Sequence, residues 1–117
     1  MILNENILIS DLLSNIDNHS SRIIFLVNDD DQLTGCVSQG DIIRSLMNGS
    51  SLKVPAKDIA QLNPVKINKN DVDNMIEYAK TIIIEKEIHA LPIVDDKNKI
   101  MSVITLFDVL KNNLNNN

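Results

Sequence analysis

Apolar and polar positions follow one another in this chain in a series that occurs twice. An unbroken apolar run from Ile23 to Val27 leads into an acidic stretch, Asp29 to Asp31. A second apolar run through Val37 follows, and Ser38 then stands three places before Asp41 at the head of an amphipathic segment. His89 opens the same series: apolar through Val94, polar from Asp95 to Lys99, apolar again to Ile104, then Thr105 three places before Asp108. An ungapped offset of 67 residues superimposes Asp41 on Asp108, Ser38 on Thr105, Val27 on Val94 and Asp29 on Asp96. Self-similarity at a fixed period marks an internal repeat.

Each copy predicts strand, hairpin, strand and capped helix. The run Ile23 to Val27 is rich in β-branched residues and has no polar face, which suits a strand buried on both sides. Asp29 to Asp31 and Asp96 to Lys99 supply turn chemistry too polar to bury. Ser38 and Thr105 suit helix N-caps, with Asp41 and Asp108 at the third helical position in the arrangement of a capping box.

Outside these cores, Ile7 to Ile9 predicts a short strand, and Ser10 a cap for a helix carrying Leu12, Leu13 and Ile16 that ends near Asn18 to Ser21. Asn48 to Ser51 is the clearest loop, and Ala56 to Leu62 predicts one or two helical turns in a linker. Asn63 to Ile67 repeats the role of Ile7 to Ile9, with Pro64 at the strand's start. Asn70 or Asp71 then caps a helix whose apolar positions Val72, Met75, Ile76, Ala79 and Ile83 lie three or four apart. Ile82 to Ile84 cannot all face one way on a helix, so part of that run is available for a second contact. The domain reading is a first repeat over 1–53, a linker helix and second repeat over 54–114, and over 115–117 a tail or the start of a linker to a further domain.

Charge and composition narrow the function. With 117 residues the chain holds one core's worth of apolar side chains, so two repeats are expected to share it. A net charge of −5 argues against a grip on nucleic acid, which needs a basic face, and against an anionic membrane surface. No apolar run approaches the ~20 residues of a membrane span, and Met1 to Asn6 lacks the basic and apolar regions of a signal peptide. Cys36 is the only cysteine, so no intramolecular disulfide forms; it reads as a small buried hydrophobe in a protein of the reducing cytoplasm. No nucleophile stands at motif spacing from a histidine, and there is neither a P-loop nor a cluster of metal ligands, so this segment reads as non-enzymatic and without a metal.

The apolar strand before an acidic turn, His89 to Asp95, and the duplicated Ser/Thr-x-x-Asp step at Ser38 to Asp41 and Thr105 to Asp108 resemble a tandem pair of cystathionine-β-synthase-type (CBS) domains, a Bateman module. The resemblance covers roughly Ile7 to Leu114. The stretch Leu33 to Gly49, with Lys57 to Ile59 and Asn63 to Val65, is most similar to CBS pairs fused to sugar-phosphate nucleotidyltransferases. Their typical core T-D-G-D-I-R-R stands here as Ser38-Gln39-Gly40-Asp41-Ile42-Ile43-Arg44. The Gly-rich catalytic signature of those transferases is absent, so a catalytic domain is expected in cis beyond Asn117 or in trans on another chain.

What the resemblance implies is an α/β (α+β) fold of two β-α-β-β-α repeats packed about a pseudo-twofold axis, paired into a homodimer through helices of the module. It also implies that an adenosyl small molecule binds in clefts between the repeats, with AMP, ADP, ATP or S-adenosylmethionine as candidates and no cofactor required. One cleft combines Ser38 and Asp41 with Val65, Ile88 and His89; the other combines Thr105 and Asp108 with Ile7 and Arg22. The chemistry is suitable, because a carboxylate can accept hydrogen bonds from both ribose hydroxyls and a helix start can meet a phosphate. Gly40 leaves room beside Asp41, whereas Leu106 and Phe107 crowd Asp108 unless they turn into the core, which favours the Asp41 site and one ligand per chain. The plainer reading is that both steps are helix caps, worth about 1 kcal/mol each without any ligand. In functional terms the alternatives are a sensor that controls an attached or partner enzyme and a dimerisation scaffold with vestigial clefts.

Overall fold

All four apolar runs of the repeat form strands in a computed structural model of the chain, which describes residues 2–16 and 23–115. The chain divides into two units, Met1–Pro64 and Val65–Asn117, each with its own sheet and helices. In the first, β1 (Ile2–Asn4), α1 (Ile9–Ile16), β2 (Ile23–Val27), β3 (Leu33–Ser38) and α2 (Gln39–Met47) are followed by a 3₁₀ turn (Ala56–Asp58) and β4 (Gln61–Leu62). The second unit contains β5 (Ile67–Asn68), α3 (Met75–Lys86), β6 (Ala90–Val94), β7 (Ile100–Thr105) and α4 (Leu106–Asn115). The mixed α/β fold class is therefore as the sequence predicts.

The sheets have the orders β1-β2-β3-β4 and β5-β6-β7. In both, the first strand runs parallel to the second, which pairs antiparallel with the third. Ile24, Leu26 and Val37 of the first sheet meet Ile9 and Leu12 of α1 and Ile42 of α2 in one buried cluster. In the second unit Ile67, Leu91 and Ile93 pack with Ala79 and Ile83 of α3 and Val109 of α4. Fully burying such a side chain is worth about 1.5–3 kcal/mol, so these two clusters dominate the stability of their units.

The duplication extends into details that hydrophobic patterning does not carry. Asn28 Oδ1 accepts the backbone N–H groups of Asp30 and Gln32, and Asp95 Oδ1 does the same for Lys97 and Lys99. Asp31 and Asn98 take the same left-handed conformation, at φ 62° and 63°, which their residue types tolerate better than most. Asn4 Nδ2 donates to Asp29 and Asn68 Nδ2 to Asp96, each at 3.0 Å.

Those asparagine ties correct the predicted first strand. It is Ile2–Asn4 rather than Ile7 to Ile9, so Leu3, not Ile9, is the counterpart of Ile67, and Asn4 that of Asn68. Asn4 and Asn68 turn the chain out of the sheet, each accepting the N–H two residues on. Leu8 instead bridges to Pro55, and Ile9 already starts α1. Ser10 lies inside that helix and does not cap it. The N–H groups of Ile9 and Ser10 donate to the carbonyls of Val54 and Leu52, so backbone from the linker satisfies donors that a cap would otherwise serve.

The cap of α3 is also displaced. Asn74, not Asn70 or Asp71, accepts from Glu77 N–H, while Asn70 is held by Asn68 and Asp96. Within α3 Ile83 is buried, Ile82 is half-buried against the core and Ile84 is exposed, so that run does divide between two faces. The linker holds one 3₁₀ turn and the short strand β4, and Val54, Ile59 and Ala60 pack on the first unit's core. The predicted end of α1 lies outside the described residues. No helix among the described residues is long and apolar enough to cross a membrane.

Candidate functional site

The two Ser/Thr-x-x-Asp steps form the same local structure. Each sits where an antiparallel strand runs without a break into a helix, β3 into α2 and β7 into α4. Ser38 N–H donates to Asp41 Oδ2 at 2.8 Å and Asp41 N–H returns to Ser38 Oγ at 3.2 Å, a reciprocal capping box. Thr105 and Asp108 repeat it at 2.9 and 3.1 Å. In this respect both steps are the caps that the plainer reading requires.

The two carboxylates otherwise differ. Asp41 is 8% exposed, and the Ser38 hydroxyl also donates to Oδ2, at 3.0 Å. Its Oδ1 accepts Arg44 Nη2 at 2.6 Å and Gln61 Nε2 at 3.2 Å. Asp108 is exposed, and its Oδ1 has no hydrogen-bond partner among the described residues. Leu106 turns into the second core and Phe107 points outward, 70% exposed, so neither crowds that carboxylate. The room that Gly40 leaves beside Asp41 is taken by Arg44, whose Nη1 lies 3.3 Å from where a Cβ would stand.

A profile of the CBS domain matches residues 1–48 and again 56–115. The chain belongs to the CBS domain family. Among relatives, a probable arabinose 5-phosphate isomerase of Haemophilus influenzae is 32% identical over 83 residues, 69% of this chain and 24% of its own. This chain likewise spans 26% of the length of two uncharacterised Helicobacter pylori relatives. Among solved structures, CBSX2 in complex with AMP superimposes with a TM-score of 0.81 at 21% identity, over 98% of this chain and 87% of that one. The CBS domain pair of protein MJ0100, in complex with 5′-methylthioadenosine and S-adenosyl-L-methionine, gives 0.81 at 18% identity, over 100% and 90%.

Of the other residues singled out from sequence, Ile88 and His89 belong to the same CBS repeat as Thr105 and Asp108. His89 is exposed and its carbonyl accepts Leu106 N–H at 2.8 Å, which ties the start of β6 to the start of α4. Ile88 packs against the second core and Val65 is exposed. Ile7 packs on the first core, and its carbonyl accepts Ala56 N–H. Arg22 lies outside the described residues.

Cys36 is half-buried, not a core residue. On β3 the buried positions are Leu33, Gly35 and Val37, and Cys36 falls on the other face of the strand. Burial, and then the nearby charge of Asp41, push its thiol above the ordinary cysteine value, which leaves little reactive thiolate near neutrality.

Two partners of Asp41 went unassigned from sequence. Arg44 has a signal in the spacing, because residues three apart share a helix face and opposite charges there attract. Gln61 gave no such signal, since only the fold of β4 onto β3 brings it close.

Burial pulls the Asp41 carboxyl upward, but hydrogen bonds from the Ser38 backbone and hydroxyl, Gln61 and Arg44 outweigh it and hold the group below the ordinary carboxylate range. A carboxyl whose native pKa is depressed stabilises the fold above the unfolded-state value of about 3.9, and loses that contribution as pH falls through the native pKa. Asp41→Asn should therefore be less stable than wild type at pH 7, with the gap closing below about pH 4. Urea midpoints at pH 7 and pH 3 check this; an equal gap at both would contradict it.

Proposed function

We propose that this CBS pair is a regulatory module that binds an adenine nucleotide or related adenosyl ligand and thereby controls a catalytic domain in cis or in trans. The observation that carries the reading is the Asp108 carboxylate at a formed helix start, with one oxygen held by the cap and the other, unpartnered among the described residues, available to accept from a ribose hydroxyl. The AMP complex of CBSX2 and the S-adenosyl-L-methionine complex of MJ0100 support the ligand class. The probable arabinose 5-phosphate isomerase among its relatives, with the sequence motif around Asp41, favours an enzyme of sugar phosphates or sugar nucleotides as the partner. Regulation requires that the ligand bind two states of the module unequally.

A thermal-shift screen against AMP, ADP, ATP and S-adenosylmethionine tests it. A ligand at about 100 times its dissociation constant adds roughly 2.7 kcal/mol, several degrees for a chain of this size. Asp108→Ala should sharply reduce the largest shift. An undiminished shift in Asp108→Ala would move the site elsewhere.

Exposed apolar side chains favour a homodimer as well. Ile43, Leu46 and Met47 share one face of α2, and Phe107 and Leu110 one face of α4, with Met47 81% exposed. Covering such faces with a second copy is the commonest solution for a small domain. Ile43→Glu with Leu110→Glu should shift sedimentation from dimer to monomer. Dimer formation without any ligand response would favour the scaffold reading.

A further inference from the structure

We infer that Arg44 makes the first repeat selective for adenosyl ligands that carry an anionic group, whereas the second repeat admits a neutral adenosyl ligand without breaking an ion pair. This rests on the adenosyl-binding reading above and assigns a specificity determinant within it. A carboxylate offers about four acceptor positions, and at Asp41 all four are in use: Ser38 N–H and Oγ on Oδ2, Arg44 and Gln61 on Oδ1. The two bonds from Ser38 are those of the helix cap. A ribose diol must therefore take Oδ1 from Arg44 and Gln61.

What that exchange costs depends on where the guanidinium goes next. The Arg44 side chain is 66% exposed and lies over Gly40, where no side chain obstructs it. It is free to leave Asp41 while staying at the site. A phosphate on the incoming ligand offers Arg44 a replacement anion of matching fork geometry, so one charge-assisted pair is exchanged for another. A neutral adenosyl compound offers none, and it leaves a strong pair broken without return.

The second repeat lacks this device. Lys111 stands at the position of Arg44 and makes no bond to Asp108 among the described residues. Asp108 Oδ1 is open among the described residues, so a diol displaces none of them there.

The test is calorimetric titration with AMP and with adenosine, on the full chain carrying Asp108→Ala to silence the second repeat, with Arg44 intact or as Arg44→Ala. With Arg44 intact, AMP should bind about tenfold or more tighter than adenosine, as one charge-assisted hydrogen bond implies. Arg44→Ala should weaken AMP and strengthen adenosine until the two fall within about threefold of each other. An unchanged AMP-to-adenosine ratio would overturn the inference while leaving adenosyl binding intact. So would loss of all binding in Asp108→Ala when wild type still binds, because the first repeat would then be no receptor. Absence of binding to wild type would instead remove the adenosyl reading itself.

Discussion

Truncating Ile24 or Leu91 to alanine should lower the unfolding free energy by about 2–5 kcal/mol each, the largest effects expected from single changes in this protein. The two are equivalent positions of the repeat, 67 residues apart, and both are fully buried. Each stands on an interior strand of its sheet, Ile24 facing α1 and α2, Leu91 facing α3 and α4. Removing the side chain forfeits its transfer free energy and leaves a cavity that two helices and a sheet cannot easily close. A domain's whole margin is about 5–15 kcal/mol, so either variant loses a large share of it. Urea denaturation followed by circular dichroism measures the loss. A cost below about 1 kcal/mol at either position would mean that the cluster around it is not the core of its unit.

Gly35→Ala should cost about 1–3 kcal/mol, through overpacking of a strand pair rather than through a cavity. A Cβ at that position would lie 3.0 Å from the Gln61 carbonyl oxygen and 3.3 Å from Ala60 Cβ. Backbone cannot swing aside as a side-chain end can, so β4 must leave β3, where Gly35 pairs with Leu62 and Cys36 with Gln61. Gln61 then withdraws from Asp41 as well. Gly40→Ala is the informative comparison: its Cβ meets only the mobile end of Arg44 and Ser38 Oγ, at 3.3 and 3.7 Å, and the arginine can yield. Hydrogen exchange at Gln61 and Leu62 should quicken in Gly35→Ala and stay as in wild type in Gly40→Ala. Equal stability of the two variants would show that β4 is not bound closely to β3.

Where the chain's order is written in apolar periodicity, it was legible. The strands of Ile23 to Val27 and Ala90 to Val94, the hairpins and the two capping boxes follow from residue type and spacing, and the offset of 67 places them twice. What escaped was held by backbone. Ile7 to Ile9 has a strand's composition, but carbonyls of Val54 and Leu52 supply acceptors that begin a helix at Ile9, and no pattern near Ser10 announces them. Asn4 and Asn68 look like ordinary polar residues until their bonds to Asp29 and Asp96 are seen. At the candidate site, the Ser/Thr-x-x-Asp steps were found, and the openness of each was not. Gly40 suggested room at Asp41, which Arg44 fills, and Phe107 suggested crowding at Asp108, which its outward turn removes. Side-chain direction at a helix start depends on the packing of that helix against its sheet, and residue type alone does not settle it.

Adenosyl binding by this CBS pair is tested most directly by equilibrium titration calorimetry of the purified chain with AMP and with S-adenosylmethionine. Saturable binding of at least one, at a stoichiometry reduced in Asp108→Ala, is the predicted result. A folded chain that takes up neither compound at millimolar concentration would contradict it, and would leave the exposed faces of α2 and α4 as the surviving account of what the module does.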